Sequence, residues 1–438
     1  MKFIYTDTAL LPETMITATA QKLLPYVSHL QSVIDAGTYD AAESSINLPS
    51  DTGILKKVKD LKEKVCPARP KYVINIGIGG SNLGTKAIYD AFFGAYDMLE
   101  EERESASRMI FVDTCEEAFL AKLVTFIGKL QKKEDVVINA ISKSGGTTET
   151  IANLEIVLAA MDKRFPGSLD RIVITTDEGS ALWDIAHKKG VYVLTLPKQV
   201  GGRFSVLSAV GLFPLEACGI NTAAILEAAV AMRTRCVSPD PAQNPALVSA
   251  AILYLHYRNG KNINDNFFFL PQLESLGKWY RQLMGESIGK DTDLDGRKVH
   301  TGITPTVSLG STDLHSVGQL YLGGPRDKIT TFVSAATSRY EARLPETLQF
   351  PLVDLIAGKR ASQIMDAIKE GVKIAYTKQQ QPFTEVILDT VDEAALGEFL
   401  QFKMIEMMYL GKLLNVNTFD QPHVELYKVE TKRILRGV

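Results

Sequence analysis

Hydroxyl side chains and one lysine crowd a short stretch of the chain that could bind an anion. The stretch follows an apolar run at 136–141, which predicts a buried strand, and precedes a helical pattern at 151–158. The free N–H groups of such a turn and the helix dipole favour an anion, and the side chains can complete a shell around a phosphate. Ordinary helix capping is the alternative, but one Ser or Thr is enough for that. The candidate phosphate-binding residues are Ser142, Lys143, Ser144, Thr147 and Thr150.

A second glycine-rich turn, Gly77–Gly84, follows the first predicted strand and opens a helix. Glycines at such a turn let a ligand approach the backbone closely. The gap from Gly79 to Gly84 is too long for a dinucleotide fingerprint, and one such turn is weak evidence. Two such turns at the ends of two strands of one sheet predict a cradle for a small phosphorylated ligand, with Ser81 on its second wall.

An arginine follows two glycines at the junction of the two halves of the chain, in Val200–Ser205. The glycines let the backbone bend and project the fixed positive fork of Arg203 into a cleft. The apolar run 206–213 predicts that Arg203 is buried, and a buried arginine needs an anionic partner. A surface arginine in a flexible linker is the alternative.

Two further residue types suit proton transfer, but their spacing alone does not select them. Glu286 lies between glycines in Gly285–Lys290, although a glutamate on a helix is usually solvated. His315 lies in Ser311–Ser316 and is one of only six histidines, and a lone histidine is more often structural than catalytic.

Alternating strands and helices must position these residues. Continuous apolar strands that alternate with helices predict a parallel sheet covered on both faces, with ligands beyond the carboxyl ends of the strands. The strands of the first series are predicted at 72–76, 109–113, 136–141, 172–176 and 191–196. A less regular second series follows, with strands predicted at 266–270, 306–310, 328–333 and 385–389, and then helices at 396–413 and 420–435. The first 50 residues show short helical patterns and no strong strand.

Composition excludes several classes of function. The 438 residues exceed one ordinary core, and two domains with extensions are expected. A net charge of -3 argues against general affinity for nucleic acid, and neither a signal peptide nor a membrane span is predicted. The four cysteines lack metal-ligand spacing, and we expect no metal, no cofactor and a cytoplasmic location.

The motifs together resemble those of the glucose-6-phosphate isomerase family, also called phosphoglucose isomerase, and in particular its shorter bacterial branch. The resemblance covers most of the chain in the order of the family's motifs: Gly77–Gly84, Ser142–Thr150, Gly201–Ser205, Gly285–Lys290, Thr312–Ser316 and Phe419–Lys428. It implies an α/β fold with two sugar-isomerase (SIS) domains of parallel sheets flanked by helices, plus N-terminal and C-terminal helical extensions. The implied boundaries are an extension at 1–50, domains at 51–200 and 201–390, and a C-terminal arm at 391–438.

The resemblance also implies roles for individual residues in the interconversion of glucose 6-phosphate and fructose 6-phosphate, a step of glycolysis and gluconeogenesis. Glu286 would move the proton between C1 and C2, Arg203 would stabilise the enediolate, and His315 and Lys428 would serve ring opening. The implied substrate-binding residues are Gly80, Ser81, Ser142, Lys143, Ser144, Thr147, Thr150 and Gln421. The resemblance further implies a homodimer with a shared active site, in which His315 comes from the neighbouring subunit.

Two positions depart from the family pattern. His423 stands where the family more often has Gly, which puts the geometry leading to Lys428 in question. Ser144 stands where relatives often have Thr, and the hydroxyl is retained.

The chemistry is consistent with these residues. Ring opening needs a proton donor and a proton acceptor. Moving a proton between adjacent carbons needs one carboxylate. The oxyanion that develops in this step needs a fixed cation. Two alternatives stay open: a SIS sugar-phosphate enzyme or sensor of another kind, and a nucleotide-binding oxidoreductase. A sensor would leave Glu286, His315 and Arg203 idle, and an oxidoreductase would need the fingerprint and ribose-binding acid that are missing here.

Overall fold

Two five-stranded sheets organise the chain in the computed structural model, which describes residues 1–94, 99 and 106–437. The strands of the described residues are β1 (Lys2–Ile4), β2 (Tyr72–Ile76), β3 (Arg108–Val112), β4 (Val136–Ile141), β5 (Ile172–Thr176), β6 (Tyr192–Thr195), β7 (Ile263–Phe268), β8 (Lys290–Thr292), β9 (Lys298–Thr301), β10 (Thr304–Leu309), β11 (Lys328–Ala335) and β12 (Phe383–Leu388).

Helices cover both sheets. Those of the described residues are α1 (Glu13–Gln21), α2 (Leu24–Ala36), α3 (Thr52–Val65), α4 (Leu83–Phe92), α5 (Glu117–Gly128), α6 (Thr148–Arg164), α7 (Ala181–Lys188), α8 (Ala209–Cys218), α9 (Thr222–Cys236), α10 (Pro245–Arg258), α11 (Glu274–Ile288), α12 (Thr312–Ser316), α13 (Gly318–Gly323), α14 (Ala361–Lys378), α15 (Glu393–Leu413) and α16 (Val424–Leu435). Side-chain caps fix several of these starts; at α15, Asp392 accepts a hydrogen bond from the Ala395 N–H at 2.8 Å. Within the described ranges, no helix combines the length and the apolarity needed to cross a bilayer.

The first sheet is entirely parallel, in the order β3-β2-β4-β5-β6. Its predicted strands are confirmed to within one residue at either end. Every residue of β4 and β5 is buried, as expected for strands covered on both faces. The predicted α/β class with parallel sheets and flanking helices is therefore confirmed.

The second sheet has the order β1-β12-β11-β7-β10, and only β1 runs antiparallel to its neighbour. The strand β1 was not predicted, because three residues are too few to show a period. The N-terminal segment is thus an edge strand as well as a set of helices. The predicted strands of this half lie in the right places, but their ends differ by up to three residues.

The two sheets share one strand order. Among the parallel strands of each sheet, the first in sequence (β2 or β7) has the second on one side and the third and fourth on the other side; the antiparallel β1 lies at the edge of the second sheet. The direction in which successive strands are added to the sheet therefore reverses between β2 and β4, and again between β7 and β11. Such switch points form crevices at the carboxyl ends of the strands, where ligands bind in open α/β sheets.

The C-terminal residues divide into one buried and one exposed helix. The helix α15 packs against α9, α10 and α11 in the largest apolar core, and its Met404, Met407 and Met408 are buried, which confirms that they pack in the core. The helix α16 has no buried residue. It begins at Val424, four residues after the predicted start at 420, and Pro422 precedes the helix.

An ion pair is buried inside the core, where α15 meets α10 and α11. The Lys403 ammonium lies 2.8 Å from the Glu406 carboxylate, and both side chains are at most 1% exposed. Glu406 also accepts hydrogen bonds from Tyr280, at 2.7 Å, and from Ser249. The ammonium further lies over the Tyr280 ring, 4.8 Å from its centre. Both charges are therefore satisfied away from water.

Replacing Lys403 by Met should destabilise the fold, because it leaves the Glu406 carboxylate buried without its cation. We expect the free energy of unfolding at neutral pH, measured in denaturant, to fall by about 3–5 kcal/mol. The matched control is Lys378→Met at the exposed end of α14, which should change stability by less than about 0.5 kcal/mol. Similar losses in the two variants would show that the buried pair is not a particular source of stability.

Candidate active site

Arg203 is the buried centre of a cluster that joins three distant parts of the chain. Its side chain is 1% exposed, and its guanidinium carries five N–H donors. All five donors are used: Nε on Ser287 Oγ at 2.9 Å, Nη1 on Glu286 Oε2 at 3.2 Å and on Gln421 Oε1, and Nη2 on the carbonyl oxygens of Thr418 and Asp420, at 2.5 and 3.1 Å. Burial lowers the pKa of the Arg203 guanidinium, and the Glu286 carboxylate opposes that shift. The predicted burial and the predicted anionic partner are both present.

Glu286 lies in the last turn of α11, where two side chains orient it. Gln282, one turn earlier, donates from Nε2 to Glu286 Oε1 at 3.0 Å. Lys290 donates to the Glu286 carbonyl at 2.8 Å and forms an ion pair with Asp420 at 2.9 Å. The carboxylate remains 29% exposed on its open side. It is therefore fixed in position and still accessible.

The two glycine-rich loops follow β2 and β4, which are neighbours in the first sheet. They lie at the switch point, where an anion is expected. The glycine-rich turn also touches the arginine loop, because a Cβ atom on Gly80 would lie 2.1 Å from the Gly202 carbonyl carbon. A side chain at position 80 would therefore push the cradle away from Arg203.

Hydroxyl groups and the start of α6 shape the second loop. The Ser142 and Thr147 hydroxyls lie 3.0 Å apart, and Thr147 makes no side-chain cap although it stands at the N-cap of the helix. The Ser144 side chain is exposed, whereas the Thr150 hydroxyl is buried and has no hydrogen-bond partner among the described residues. Ser142 and Ser144 each accept a backbone N–H of the loop at 3.4 Å, but Thr147 does not cap α6, which supports the anion interpretation over ordinary capping.

Lys143 is bound to backbone carbonyl groups of the segment before the arginine loop. Its ammonium donates to the carbonyl oxygens of Lys198 and Val200, at 2.7 and 2.8 Å. Burial lowers the pKa of Lys143, and Asp177 opposes this effect. Lys143 therefore links the hydroxyl-rich loop to the segment that leads to Arg203.

His315 and Lys428 lie outside the cluster. His315 is exposed on α12, which follows β10 at the edge of the second sheet. Lys428 is 40% exposed on α16 and forms an ion pair with Glu425 at 2.7 Å. In the described part of the chain, no hydrogen bond or ion pair connects either residue with Arg203 or Glu286.

His423 ties the start of α16 to the rest of the chain. Its Nε2 lies 2.9 Å from a carboxylate oxygen of Asp291 in β8. Hydrogen bonds from Lys298 and then from His423 lower the pKa of Asp291. This contact joins β8 to the start of the helix that carries Lys428.

The structure adds four residues that the sequence argument did not select. All four contact Glu286 or Arg203 directly, and Asp420 also forms an ion pair with Lys290; the four are Gln282, Ser287, Lys290 and Asp420. A signal existed for Gln282, because it precedes Glu286 by one helical turn. Ser287 and Lys290 belong to the Gly285–Lys290 motif, but nothing in their spacing selects them. No group of three or more His, Cys, Asp or Glu side chains in the described ranges is arranged to hold a metal ion.

Comparison with known proteins identifies the family of this chain. The sequence model described as phosphoglucose isomerase matches residues 48–438. The glucose-6-phosphate isomerase of Carboxydothermus hydrogenoformans is 35% identical over 388 residues, which are 87% of this chain and 81% of that protein.

Two solved structures share the whole fold. A hypothetical protein from Thermus thermophilus superposes with a TM-score of 0.86 at 29% identity, over 99% of both chains. A glucose-6-phosphate isomerase from Chlamydia trachomatis superposes with a TM-score of 0.82 at 21% identity, over 99% of this chain and 88% of that one. The chain belongs to the phosphoglucose isomerase family.

Proposed function

We propose that this chain catalyses the reversible isomerisation of glucose 6-phosphate and fructose 6-phosphate at the cluster around Arg203 and Glu286. Family membership supports the reaction and the sugar-phosphate substrate. The observation that carries the proposal is the contact of an accessible carboxylate with a buried guanidinium at 3.2 Å, beside the hydroxyl-rich loops. A carboxylate can move a proton between adjacent carbons, and a fixed cation can stabilise the enediolate that forms. A sensor without catalysis would have no use for this pair.

The hydrogen bonds of Arg203 indicate how substrate binding changes the site. All five donors are occupied, so an enediolate oxygen can bind Arg203 only by replacing a protein acceptor. The acceptors of Nη2 are backbone carbonyls, whereas those of Nη1 are the side chains of Glu286 and Gln421, which can rotate. Replacing an acceptor of Nη1 by the substrate oxygen therefore disturbs the protein less than replacing an acceptor of Nη2. It also frees the Glu286 carboxylate to take the proton from C2 of the aldose or C1 of the ketose.

The two loops of the first sheet would hold the phosphate group. Ser81, Ser142, Ser144, Thr147 and Thr150 offer hydroxyls near the start of α6, where N–H groups and the helix dipole favour an anion. Gly80 would let the ligand approach the backbone. Lys143 contributes a positive charge close to the loop, but its ammonium is bound to carbonyl oxygens, so we assign it mainly to positioning.

We assign ring opening to His315 and Lys428, and we infer that a second copy of the chain completes the site. Both residues are exposed, and their own chain does not bring them to Glu286 through a hydrogen bond among the described residues. Exposed apolar side chains include Leu426 and Tyr427, next to Lys428 on α16, and, elsewhere in the chain, Phe350 and Leu352, which are 84% and 89% exposed. Such apolar surface marks an interaction site, and a homodimer would cover it. We also place the enzyme in the cytoplasm, because the reaction belongs to glycolysis.

The proposal is tested first with Glu286→Gln, which removes the base and keeps the shape of the side chain. We expect turnover of fructose 6-phosphate, coupled to detection of glucose 6-phosphate, to fall by about 10² or more. Binding of a sugar-phosphate analogue should survive, because the phosphate contacts lie elsewhere. The matched control is Glu274→Gln in the first turn of the same helix, which should leave turnover unchanged. Near-normal turnover in Glu286→Gln would remove Glu286 from the catalytic role.

Substitutions of Ser144 and Lys143 should distinguish a residue that binds the phosphate from one that positions the segment before Arg203. Ser144→Ala removes a contact remote from the reacting carbons, so we expect KM to rise and kcat to change little. Lys143→Met also loosens the segment before Arg203, so we expect kcat to fall as well. The two variants are compared by steady-state kinetics under the same conditions. An effect on KM alone in both variants would contradict the positioning role of Lys143.

The shared site is tested with two inactive variants, His315→Ala and Glu286→Ala, which are denatured and refolded together. A mixed dimer then has one site with both native residues and one site with neither. Random exchange makes half of the dimers mixed, so about a quarter of the parental activity should return. The same mixture without refolding controls for contaminating wild-type enzyme. No recovery from a demonstrably mixed dimer would mean that His315 acts within its own subunit or is not needed.

A further inference from the structure

A carboxylate is buried in the second sheet, on the face that α13 and α14 cover. Asp265 lies in β7 and is 0% exposed. Its Oδ1 accepts three hydrogen bonds, from Thr306 at 2.6 Å, Ser308 at 2.9 Å and Tyr321 at 3.2 Å. Its Oδ2 has no hydrogen-bond partner among the described residues. One half of a buried carboxylate is therefore unsatisfied, which is costly unless another group binds it.

Further oxygens without partners lie on the same face. Thr330 stands opposite Asp265 in the parallel pairing of β11 with β7, so their side chains are neighbours. Tyr376 of α14 packs edge-on against Phe332, two residues along β11, with 5.2 Å between the ring centres. The hydroxyls of Thr330 and Tyr376 are both buried, and neither meets hydrogen-bond geometry with a group in the described ranges, although Thr330 lies close enough to Tyr376 to oppose the rise that burial causes in the pKa of its phenol. Three oxygens of this face are thus without a hydrogen bond of normal geometry.

A side-chain carbonyl adds a fourth oxygen. Gln381, which precedes β12, donates from Nε2 to the Tyr321 carbonyl at 2.9 Å, and this contact fixes its Oε1 as an acceptor. That Oε1 is buried and also lacks a partner among the described residues. Carboxylate and amide oxygens can only accept, so neither Asp265 Oδ2 nor Gln381 Oε1 can satisfy the other.

The charge of Asp265 is not balanced by a basic side chain. Lys328 and Lys373 belong to the same half but are bound to other carboxylates, Lys328 to Asp327 at 2.6 Å and Lys373 to Glu385 at 2.9 Å. No ion pair involves Asp265 in the part of the chain that the structure describes. Burial raises the pKa of Asp265; the three hydroxyl hydrogen bonds oppose that rise, and the charge of Asp313 adds to it. The surroundings therefore favour either a proton on Asp265 or a cation beside Oδ2.

We propose that Asp265 Oδ2, Thr330 Oγ1 and Tyr376 OH bind an alkali cation, K⁺ or Na⁺, with Gln381 Oε1 as a further oxygen of the site. Oxygen ligands suit hard cations. One carboxylate and neutral oxygens balance a single positive charge, whereas a divalent ion would leave a net charge buried. A water molecule could donate to the same oxygens but would not neutralise Asp265.

This site is separate from the proposed active site. It lies on the face of the second sheet opposite α11, because Gly277 of α11 packs against Phe268 and Val307, which point away from Asp265 along their strands. The cation would connect β7, β11 and α14. Its main effect is therefore on the stability of the second half of the chain.

The test compares thermal unfolding of the full chain in choline chloride, NaCl and KCl at equal ionic strength. A ligand that binds only the folded state raises Tm with its concentration. We expect a saturable rise of about 2 °C or more in at least one alkali salt relative to choline. Identical Tm values in the three salts would overturn the proposal and would leave water, or a protonated Asp265, as the partner of Oδ2.

Substitutions at the proposed site test whether the dependence of Tm on the alkali cation arises there. Asp265→Asn removes the charge and keeps the shape, so the dependence of Tm on the alkali cation should disappear. Asp366→Asn, on the exposed face of α14, is the matched control and should keep that dependence. If Asp265→Asn does not fold, Thr330→Val gives the same information, because it removes one ligand oxygen without changing a charge. An alkali dependence that is unchanged in these site variants would place the cation elsewhere and contradict the proposal.

Crystals of the wild-type protein grown with Rb⁺ give a direct readout. We expect an anomalous peak within coordination distance of Asp265 Oδ2 and Thr330 Oγ1. A well-ordered site with no peak in crystals that hold Rb⁺ would contradict the proposal, whatever the melting data show. The outcome does not depend on isomerase activity.

Discussion

The buried guanidinium of Arg203 is the constraint on which the rest of the structure depends. Desolvating an arginine is costly unless its donors are all satisfied. Here the acceptors come from α11 and from residues 418–421, which are 83 to 218 positions away in sequence. The fold must therefore bring the middle and the end of the chain to the loop that follows the first sheet. Gly80 allows this approach, since a Cβ atom at position 80 would lie 2.1 Å from the carbonyl carbon of Gly202, which precedes Arg203.

A second cation strengthens the same junction. Lys290 binds the Glu286 carbonyl together with the Asp420 carboxylate, while Arg203 binds the Glu286 carboxylate together with the Asp420 carbonyl. The end of α11 and the segment before α16 are thus held together by two positive side chains. This arrangement fixes the backbone around Glu286 and leaves its carboxylate free on one side. Such a division suits a group that must be positioned and must also react.

The sequence predicted local structure better than contacts. The strands of the first sheet were predicted almost residue by residue, because parallel strands covered on both faces are continuous apolar runs. The burial of Arg203 followed from the apolar run after it. The strand β1 was missed, because its three residues matter only through pairing with β12, about 380 positions away along the chain. The contacts of Lys143 with Lys198 and Val200 were missed for the same reason, since spacing carries no information about partners brought near by folding.

The direction of α11 explains why the site lies at the junction of the two sheets. A helix that follows a parallel strand runs back along the sheet. The C-terminal end of α11 therefore lies near the edge at which the parallel strands of the second sheet begin. Gln282 of α11 meets the turn after β2, because a Cβ atom on Gly79 would lie 3.0 Å from its Nε2. The carboxyl end of the first sheet therefore faces the returning end of a helix from the second half. The first half offers backbone N–H groups and hydroxyls to an anion, and the second half offers a carboxylate. Neither half holds both groups, so the chemistry depends on the packing of α4 against α11 that keeps the halves in register.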